Sequence, residues 1–245
     1  MKISFVIPAY NEEKRIADCL SSVLKEISNY KYNTEVVVVN NASKDRTKEI
    51  ASSFQGVKVV DEYNKGLVWA RKCGMDNSTG GLIANIDADV LVPEGWLKKV
   101  MDEFEKDKKL VALSGPYIYY DLSLWQRAWV RIFYYLGYFS YLINSKIIKI
   151  GGMLQGGNFI VRRDALEKIG GYDTTITFYG EDTDIAKRIY AVGKVKWTFK
   201  LPMYTTGRRL AEEGMITMGI KYAMNHIWPL FFGKPFTKEY KDIRK

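Results

Sequence analysis

Short, mainly apolar runs alternate with helical-period stripes along the first hundred residues. Ile3 to Ile7 is an apolar run ended by Pro8 and predicts a strand. Ile16, Leu20, Val23, Leu24 and Ile27 then recur at helical spacing, with Asn11 as the candidate N-cap and Glu12 and Glu13 in the first turn. Val36 to Val39 is four valines in succession, the pattern of a strand buried on both faces. Ser43 is a candidate cap for a helix carrying Ile50, Ala51 and Phe54, followed by a short strand over Val57 to Val60. A helix through Leu67, Ala70 and Arg71 leads to a strand from Leu82 to Ile86. Leu97, Val100, Met101 and Phe104 mark the next helix.

That alternation predicts an α/β fold with a mostly parallel sheet flanked by helices. In such sheets ligands bind at the carboxyl ends of the strands. Pro8 to Glu12, Asn40 to Ser43 and Asp87 to Asp89 each follow a predicted strand directly and should converge on one rim. The second half reads differently. Residues 117–150 are crowded with Tyr, Trp, Phe and Ile, with Arg127, Arg131, Lys146 and Lys149 interspersed. "GGNFIVRRDALEKIGGYD" (156–173) reads as strand, helix and Gly turn, and "GEDTDIAKRIYAVG" (180–193) as a helix opened by acidic residues and stopped at Gly193. Val195 to Phe199 predicts another strand. Ile216, Ile220, Ala223 and Ile227 form a late helical stripe ended by Pro229. No linker or internal repeat interrupts the chain, so a single domain over 1–245 is expected.

Composition narrows the chemistry. The 245 residues carry a net charge of +9, spread without a long Lys/Arg block and without any familiar nucleic-acid-binding motif, so no nucleic-acid partner is expected. The two cysteines, Cys19 and Cys73, form no CxxC pair, and His226 is the one histidine, read as structural; a Cys/His zinc site is therefore not expected. The longest apolar stretch, 132–143, falls well short of the ~20 residues of a membrane span. The N-terminus reads as a strand rather than a signal peptide, which points to the cytoplasm.

The stretch "GLIANIDADVLVP" (81–93) poses the chemical question. Asp87 and Asp89, separated by the small Ala88, stand at the end of a core strand and are followed at once by Val90, Leu91 and Val92. An unpaired buried carboxylate costs several kcal/mol, so something must compensate. The spacing leaves two readings open: a divalent-cation site, since Mg²⁺ and Mn²⁺ bridge one or two carboxylates to substrate phosphates, or a turn whose aspartates cap backbone groups.

The motifs in order decide between them. "VIPAYNEE" (6–13), "VVVVNNASKDRT" (36–47), "NKGLVWARKCGM" (64–75), "DAD" (87–89), "GGNFIVRRDALEKIGGYD" (156–173) and "GEDTDIAKRI" (180–189) together resemble the family 2 glycosyltransferases, which have the GT-A nucleotide-sugar-binding fold. The resemblance covers residues 3 to about 210. It implies a nucleotide-sugar-binding half over 1–115, an acceptor and catalytic half over 116–210 and a helical, basic extension over 211–245. It implies that Pro8, Ala9, Tyr10 and Glu12 line the base and ribose, that Asn40 faces the base and that Arg71 contacts the nucleotide or its diphosphate. Asp87, Ala88 and Asp89 match the family's DXD motif, with Asp87 and Asp89 holding ribose and a Mg or Mn ion and Asp89 the more direct ligand. Asp182 matches the general base. The reaction would be an inverting transfer from a nucleotide-sugar donor to a glycan or lipid-linked acceptor.

Two departures matter. Asn40 and Asn41 stand where the family commonly has aspartate. An asparagine offers one acceptor and one donor, which suits uracil's N3–H and O4 better than guanine's paired donors and favours a UDP-sugar. No histidine lies near 203–209, where many relatives place a late metal ligand; Arg208 and Arg209 are there instead, and are candidates for the donor diphosphate. The aromatic and basic segments fit a core, an acceptor cleft or peripheral contact with the cytoplasmic face of a membrane. Alternative readings are a nucleotidyltransferase, disfavoured because "PAYNEEK" lacks glycine, and a non-catalytic nucleotide-sugar-binding protein.

Overall fold

The computed structural model describes residues 1–149, 151–176, 180–232 and 237, without the side chains of residues 216, 226, 227 and 229–232. In chain order the elements are β1 (Lys2–Ala9), α1 (Ile16–Ser28), β2 (Asn33–Asn40), α2 (Thr47–Ser52), β3 (Val57–Asp61), α3 (Leu67–Asp76), β4 (Leu82–Ile86), β5 (Val90–Leu91) and α4 (Trp96–Lys106). They continue with β6 (Leu110–Ser114), β7 (Tyr117–Tyr119), α5 (Leu124–Leu142), β8 (Asn158–Arg162), α6 (Arg163–Lys168), α7 (Glu181–Tyr190), β9 (Lys194–Trp197), β10 (Met203–Thr205), α8 (Arg208–Glu213) and α9 (Met215–Phe232).

The central sheet has the order β3-β2-β1-β4-β8-β6-β9. β1 to β4 are mutually parallel, as are β6 and β9, while β8 runs antiparallel to both its neighbours. Register explains why strand-end loops meet. Ala9 pairs with Asn40, and Asn40 with Asp61, so β1, β2 and β3 end level. β8 enters from the opposite direction, with Asn158 beside Ile86, so the loop before β8 arrives where β4 ends. A second, three-stranded sheet, β5-β10-β7, stands over this rim, with Thr205 beside Val90. The chain that leaves β10 into α8 therefore passes over Asp87–Asp89.

Both faces of the sheet are covered, which is why β1, β2, β4 and β6 read as mainly apolar runs. On one face α1 and α4 bury Cys19, Leu20 and Val23 with Leu97, Val100 and Phe104. On the other, α6 and α7 pack Leu166, Ile185 and Ile189 against Ile83, Phe159 and Val161. α3 lies so close to β1 that a Cβ on Gly74 would fall 2.2 Å from Val6 Cγ1.

Several local expectations shift. Pro8 does not end β1, which continues to Ala9. Asn11 does not cap α1: it sits at φ +51, and the helix opens at Ile16 after a turn. Ser43 does not cap α2, which opens at Thr47, where Asp45 Oδ1 accepts from the Thr47 amide at 3.0 Å. Instead the Asn11 amide donates to Ser43 Oγ (3.1 Å) and the Lys44 amide to Asn11 Oδ1 (2.8 Å), stitching the loops after β1 and β2 together. The last sheet strand stops at Trp197, short of Phe199. α9 runs past Pro229 to Phe232. The side chains of Ile216, His226 and Ile227, and the basic tail apart from Thr237, lie outside the described residues.

Candidate active site at the carboxyl rim of the sheet

Asp87 and Asp89 leave β4 on a tight turn closed by the Val90 amide donating to the Asp87 carbonyl at 3.2 Å. Below them Cys19 Sγ lies 3.6 Å from that same carbonyl, and burial, with Asp89 and Asp87 nearby, pushes its thiol well up. The thiol is an inert core group there.

The aspartates divide their cations. Arg71, on α3, is 1% exposed; its Nη1 donates to Glu181 Oε1 in direct contact and its Nη2 lies 3.3 Å from Asp87 Oδ1. Arg208, opening α8, donates through Nη2 to Glu12 Oε1 at 2.9 Å and to Asp89 Oδ2 at 3.1 Å. Segments around residues 12, 89 and 208 are thereby drawn to one point. Arg209 turns away to Glu213 (3.1 Å), which also meets Lys221 (2.6 Å).

Glu181 and Asp182 begin α7 and behave differently. Glu181 is buried and its Oε2 has no hydrogen-bond partner. Burial raises its carboxyl to about 8; Arg71 opposes this, while Asp182 and Asp87 add to it. Asp182 is only partly buried: Oδ2 accepts from the Gly156 amide (3.0 Å) and Oδ1 from the Thr183 amide (2.7 Å), which fixes its rotamer. The loop before β8 can pass this closely because it is Gly156-Gly157. Gly157 has φ +74, and a Cβ there would lie 2.2 Å from both Asp87 Cγ and the Tyr117 hydroxyl. That hydroxyl donates to the Gly156 carbonyl at 2.6 Å and lies 3.3 Å from Asp87 Oδ2.

The rim of β1 to β3 lies alongside. Pro8 and Ala9 are buried strand residues, and the Ala9 carbonyl accepts from the Asn41 amide (2.8 Å). Tyr10 is partly exposed, with Lys65 Nζ 2.7 Å from its hydroxyl and 4.1 Å from its ring centroid. Asn40 is buried; its Nδ2 donates to Asp61 Oδ1 (2.8 Å) and its Oδ1 accepts from the Ser43 amide (3.3 Å). Lys48 holds the other Asp61 oxygen at 2.6 Å.

Sequence reasoning had passed over Asp61, Tyr117 and the Arg71–Glu181 pair. Asp61 was findable, because it follows a four-residue strand whose neighbour ends in Asn40; Tyr117 carries no local signal.

The chemistry of this donor set fits a hard divalent cation. Asp87 and Asp89 are 33% and 23% exposed at the side chain, so both are reachable. Burial, then Asp87, pushes the Asp89 carboxyl up, while Arg208 opposes the rise. Among the described residues no group of three or more His, Cys, Asp or Glu completes a protein cage. Mg²⁺ or Mn²⁺ held by two carboxylates, with phosphate oxygens and water completing its shell, needs none.

A doubly covered, mainly parallel sheet with acidic strand ends under a small second sheet defines the GT-A class of nucleotide-sugar-binding folds. The family model "Glycosyl transferase family 2" matches residues 4–170, and the chain belongs to that family. A second model, "N-terminal domain of galactosyltransferase", matches residues 141–209. The probable glycosyltransferase YdaM of Bacillus subtilis is 28% identical over 213 residues, 78% of this chain and 47% of that protein. The dolichyl-phosphate beta-glucosyltransferase ALG5D of Trichomonas vaginalis is 28% identical over 184 residues, 68% of this chain and 55% of that protein. The chain thus spans about half the length of these relatives. Among solved structures, the mannosyltransferase PcManGT from Pyrobaculum calidifontis, in complex with GDP-Man and Mn²⁺, superposes with a TM-score of 0.67 at 20% identity, over 91% of this chain and 62% of that one. At that identity the likeness establishes the fold.

Proposed function

We propose that this chain is the catalytic domain of a metal-dependent inverting glycosyltransferase that moves a sugar from a UDP-sugar to an acceptor hydroxyl or lipid phosphate in glycan or glycolipid synthesis. One observation carries the reading: a partly exposed carboxylate, Asp182, and Asp87 of the aspartate pair flank the adjacent glycines Gly156 and Gly157. In this reading Asp182 is the proton acceptor and the aspartate pair the diphosphate anchor, on either side of that glycine pair.

In this reading Tyr10, Glu12 and Asn40 border the nucleoside, with Pro8, Ala9 and Ala88 as the backbone that shapes its seat. Asp61 is engaged by Asn40 and Lys48, and Asn40 in place of a carboxylate offers no pair of acceptors for guanine's two adjacent N–H donors, which favours uracil. Asp89, with Asp87, would hold Mg²⁺ or Mn²⁺, which supplies charge neutralisation for the leaving diphosphate. Arg208 is close enough to add to it. Arg71 holds Glu181 and Asp87 in place from beneath. Asp182 takes the proton of the acceptor hydroxyl as its oxygen bonds to the anomeric carbon and the carbon–phosphate oxygen bond breaks, the electron pair leaving on the nucleoside diphosphate. The two amide donors on Asp182 leave it with unused lone pairs for that proton. Displacement in one step inverts the anomeric centre. A lipid phosphate would arrive already ionised, and the ALG5D relative, by name a dolichyl-phosphate beta-glucosyltransferase, favours such an acceptor.

A thermal-shift screen against UDP, GDP and their sugars with Mn²⁺ or Mg²⁺ tests donor binding. Ligand at 100 times its Kd adds about 2.7 kcal/mol, roughly 5–10 °C for a chain of this length. No shift with any nucleotide ends the proposal. Asp182→Asn should keep the shift and lose about 10²–10⁴-fold in transfer to a hydroxyl. Undiminished transfer would remove Asp182 as the base.

A further inference from the structure

Helix α5 is amphipathic the wrong way round. Its inner face is tyrosine: Tyr134 stacks on Trp197 with centroids 6.0 Å apart, Tyr138 meets Trp197 and Phe199, and the Tyr141 hydroxyl donates to the Val195 carbonyl at 3.1 Å. Its outer face, where a solvated helix places charges, carries Trp125, Trp129, Ile132, Leu136 and Phe139, spaced 4, 3, 4 and 3 residues apart. Trp125 is 81% exposed and Trp129 64%. The following π-helical turn, Ile143–Ile148, adds exposed Ile147 and Ile148. By contrast α4 points Lys98, Asp102 and Glu105 outward, as an ordinary surface helix does.

Charge says what covers this face. From Leu122 to Lys149 the sequence has no Asp or Glu, and its ionic residues are Arg127, Arg131, Lys146 and Lys149. Pairing two copies of the helix would bring basic side chains together with no acid between them. An anionic surface matches both the charge and the indole-rich apolar stripe. Nineteen residues span about 28 Å, yet no helix among the described residues is long and apolar enough to cross a membrane. The helix would therefore lie flat.

We propose that the outer face of α5, with the turn that follows it, docks on an anionic lipid bilayer in the plane of the interface. The inner face leads straight to the site. The Tyr117 amide donates to the Tyr134 hydroxyl (3.0 Å), which donates to Gln155 Oε1 (3.0 Å), while the Tyr117 hydroxyl touches Asp87. Docking sets the aspartate pair beside the lipid surface, where a lipid-linked acceptor is presented. That consequence rests on the glycosyltransferase reading; the docking does not.

The full chain is sedimented with vesicles of phosphatidylcholine alone and of phosphatidylcholine mixed with phosphatidylglycerol. The expected result is binding to the mixed vesicles at low salt, weakening towards about 1 M salt, where the Debye length is about 3 Å. Tryptophan emission should be quenched by brominated acyl chains. Trp125→Asp with Trp129→Asp should lower the partition coefficient at least about tenfold and abolish most of the quenching, with the melting temperature unchanged. No binding at low salt, or binding and quenching equal in the double variant, overturns the proposal. So does a concentration-dependent dimer that the double variant dissolves, which would make a second copy the occupant. If the variant misfolds, the wild-type quenching decides alone: unquenched indoles in vesicle-bound protein would refute insertion. Vesicle binding without any nucleotide shift sinks only the donor reading, and a nucleotide shift without vesicle binding sinks only this one.

Discussion

Arg71→Met separates two roles for the most deeply buried cation of the site. Methionine keeps the apolar stem of the side chain but removes the charge and the guanidinium, which lies over the Phe159 ring at 5.1 Å. Glu181 then loses its direct partner and Asp87 loses Nη2 at 3.3 Å. A hydrogen bond to a charged group is worth about 1.5–3 kcal/mol, and breaking a buried pair costs about 3–5 kcal/mol. Asp87 is partly exposed and rehydrates, and a Glu181 carboxyl raised to about 8 is largely protonated at pH 7, so the lower range applies there: about 1.5–3 kcal/mol, a fall in Tm of roughly 3–12 °C. The loss should grow with pH. The Glu181 carboxyl stands at about 8 against 4.5 when unfolded, and Arg71 is what restrains it. A carboxyl raised by folding stabilises the fold below its unfolded value and loses that contribution as pH rises through its folded value. The wild type has lost it by about pH 8. The variant, with the carboxyl pushed higher, keeps losing about 1.4 kcal/mol per pH unit beyond that. Urea unfolding followed by tryptophan fluorescence at pH 7 and 9 measures the gap, and adding Glu181→Gln should abolish its growth. A cost under about 1 kcal/mol at both pH values, with weakened nucleotide binding, would refute the buried role and return Arg71 to the diphosphate.

Two further substitutions test the frame around the site. Glu35 sits at the far end of β2; burial alone would raise its carboxyl, but Ser4, the Thr79 amide and Lys2 hold it at about 2. Lowered from 4.5, it contributes above pH 4.5 and loses that as pH falls through about 2; the shift equals about 3 kcal/mol, reduced by screening at this partly exposed position to about 1–2. Glu35→Gln should lower the urea midpoint at pH 7 and converge with wild type near pH 2, and a pH-independent gap would contradict the assignment. Gly157→Ala forces an L-residue to φ +74, at about 1–2 kcal/mol, and drives a methyl group into Asp87 and Tyr117. Its Mn²⁺-dependent nucleotide shift should vanish while the fold persists; a wild-type shift would show that Asp87 has room to move.

What the chain order reveals and what it hides follow from the range of the interactions. β1, β2 and β4 are legible because strands covered on both faces are mainly apolar, and their parallel register then forces the loops after them to one rim. Asn11 and Ser43 do not cap the helices that follow them, for a physical reason. Both satisfy loop amides, as residues of their type do, but each serves the other's loop rather than a helix start. The Arg71–Glu181 contact joins residues 110 apart, and nothing near either one announces it: a glutamate at a helix N-terminus has a sufficient local reason in the helix dipole.

The two consecutive arginines make the same point about geometry. Successive helical residues point about 100° apart, and Arg208 and Arg209 at the head of α8 part accordingly. Arg208 reaches Glu12 and Asp89, and Arg209 reaches Glu213 along its own helix. α8 is aimed by contacts outside the site: the Gly207 amide donates to Asp121 Oδ1 at 2.6 Å, and a Cβ on Gly207 would meet Leu122 at 2.4 Å. Strand ends that gather Glu12, Asp87 and Asp89 need positive charge from beyond the sheet. The chain supplies it through a short helix seated on the residues that lead into α5, so the face we assign to the lipid and the cation over Asp89 share one support.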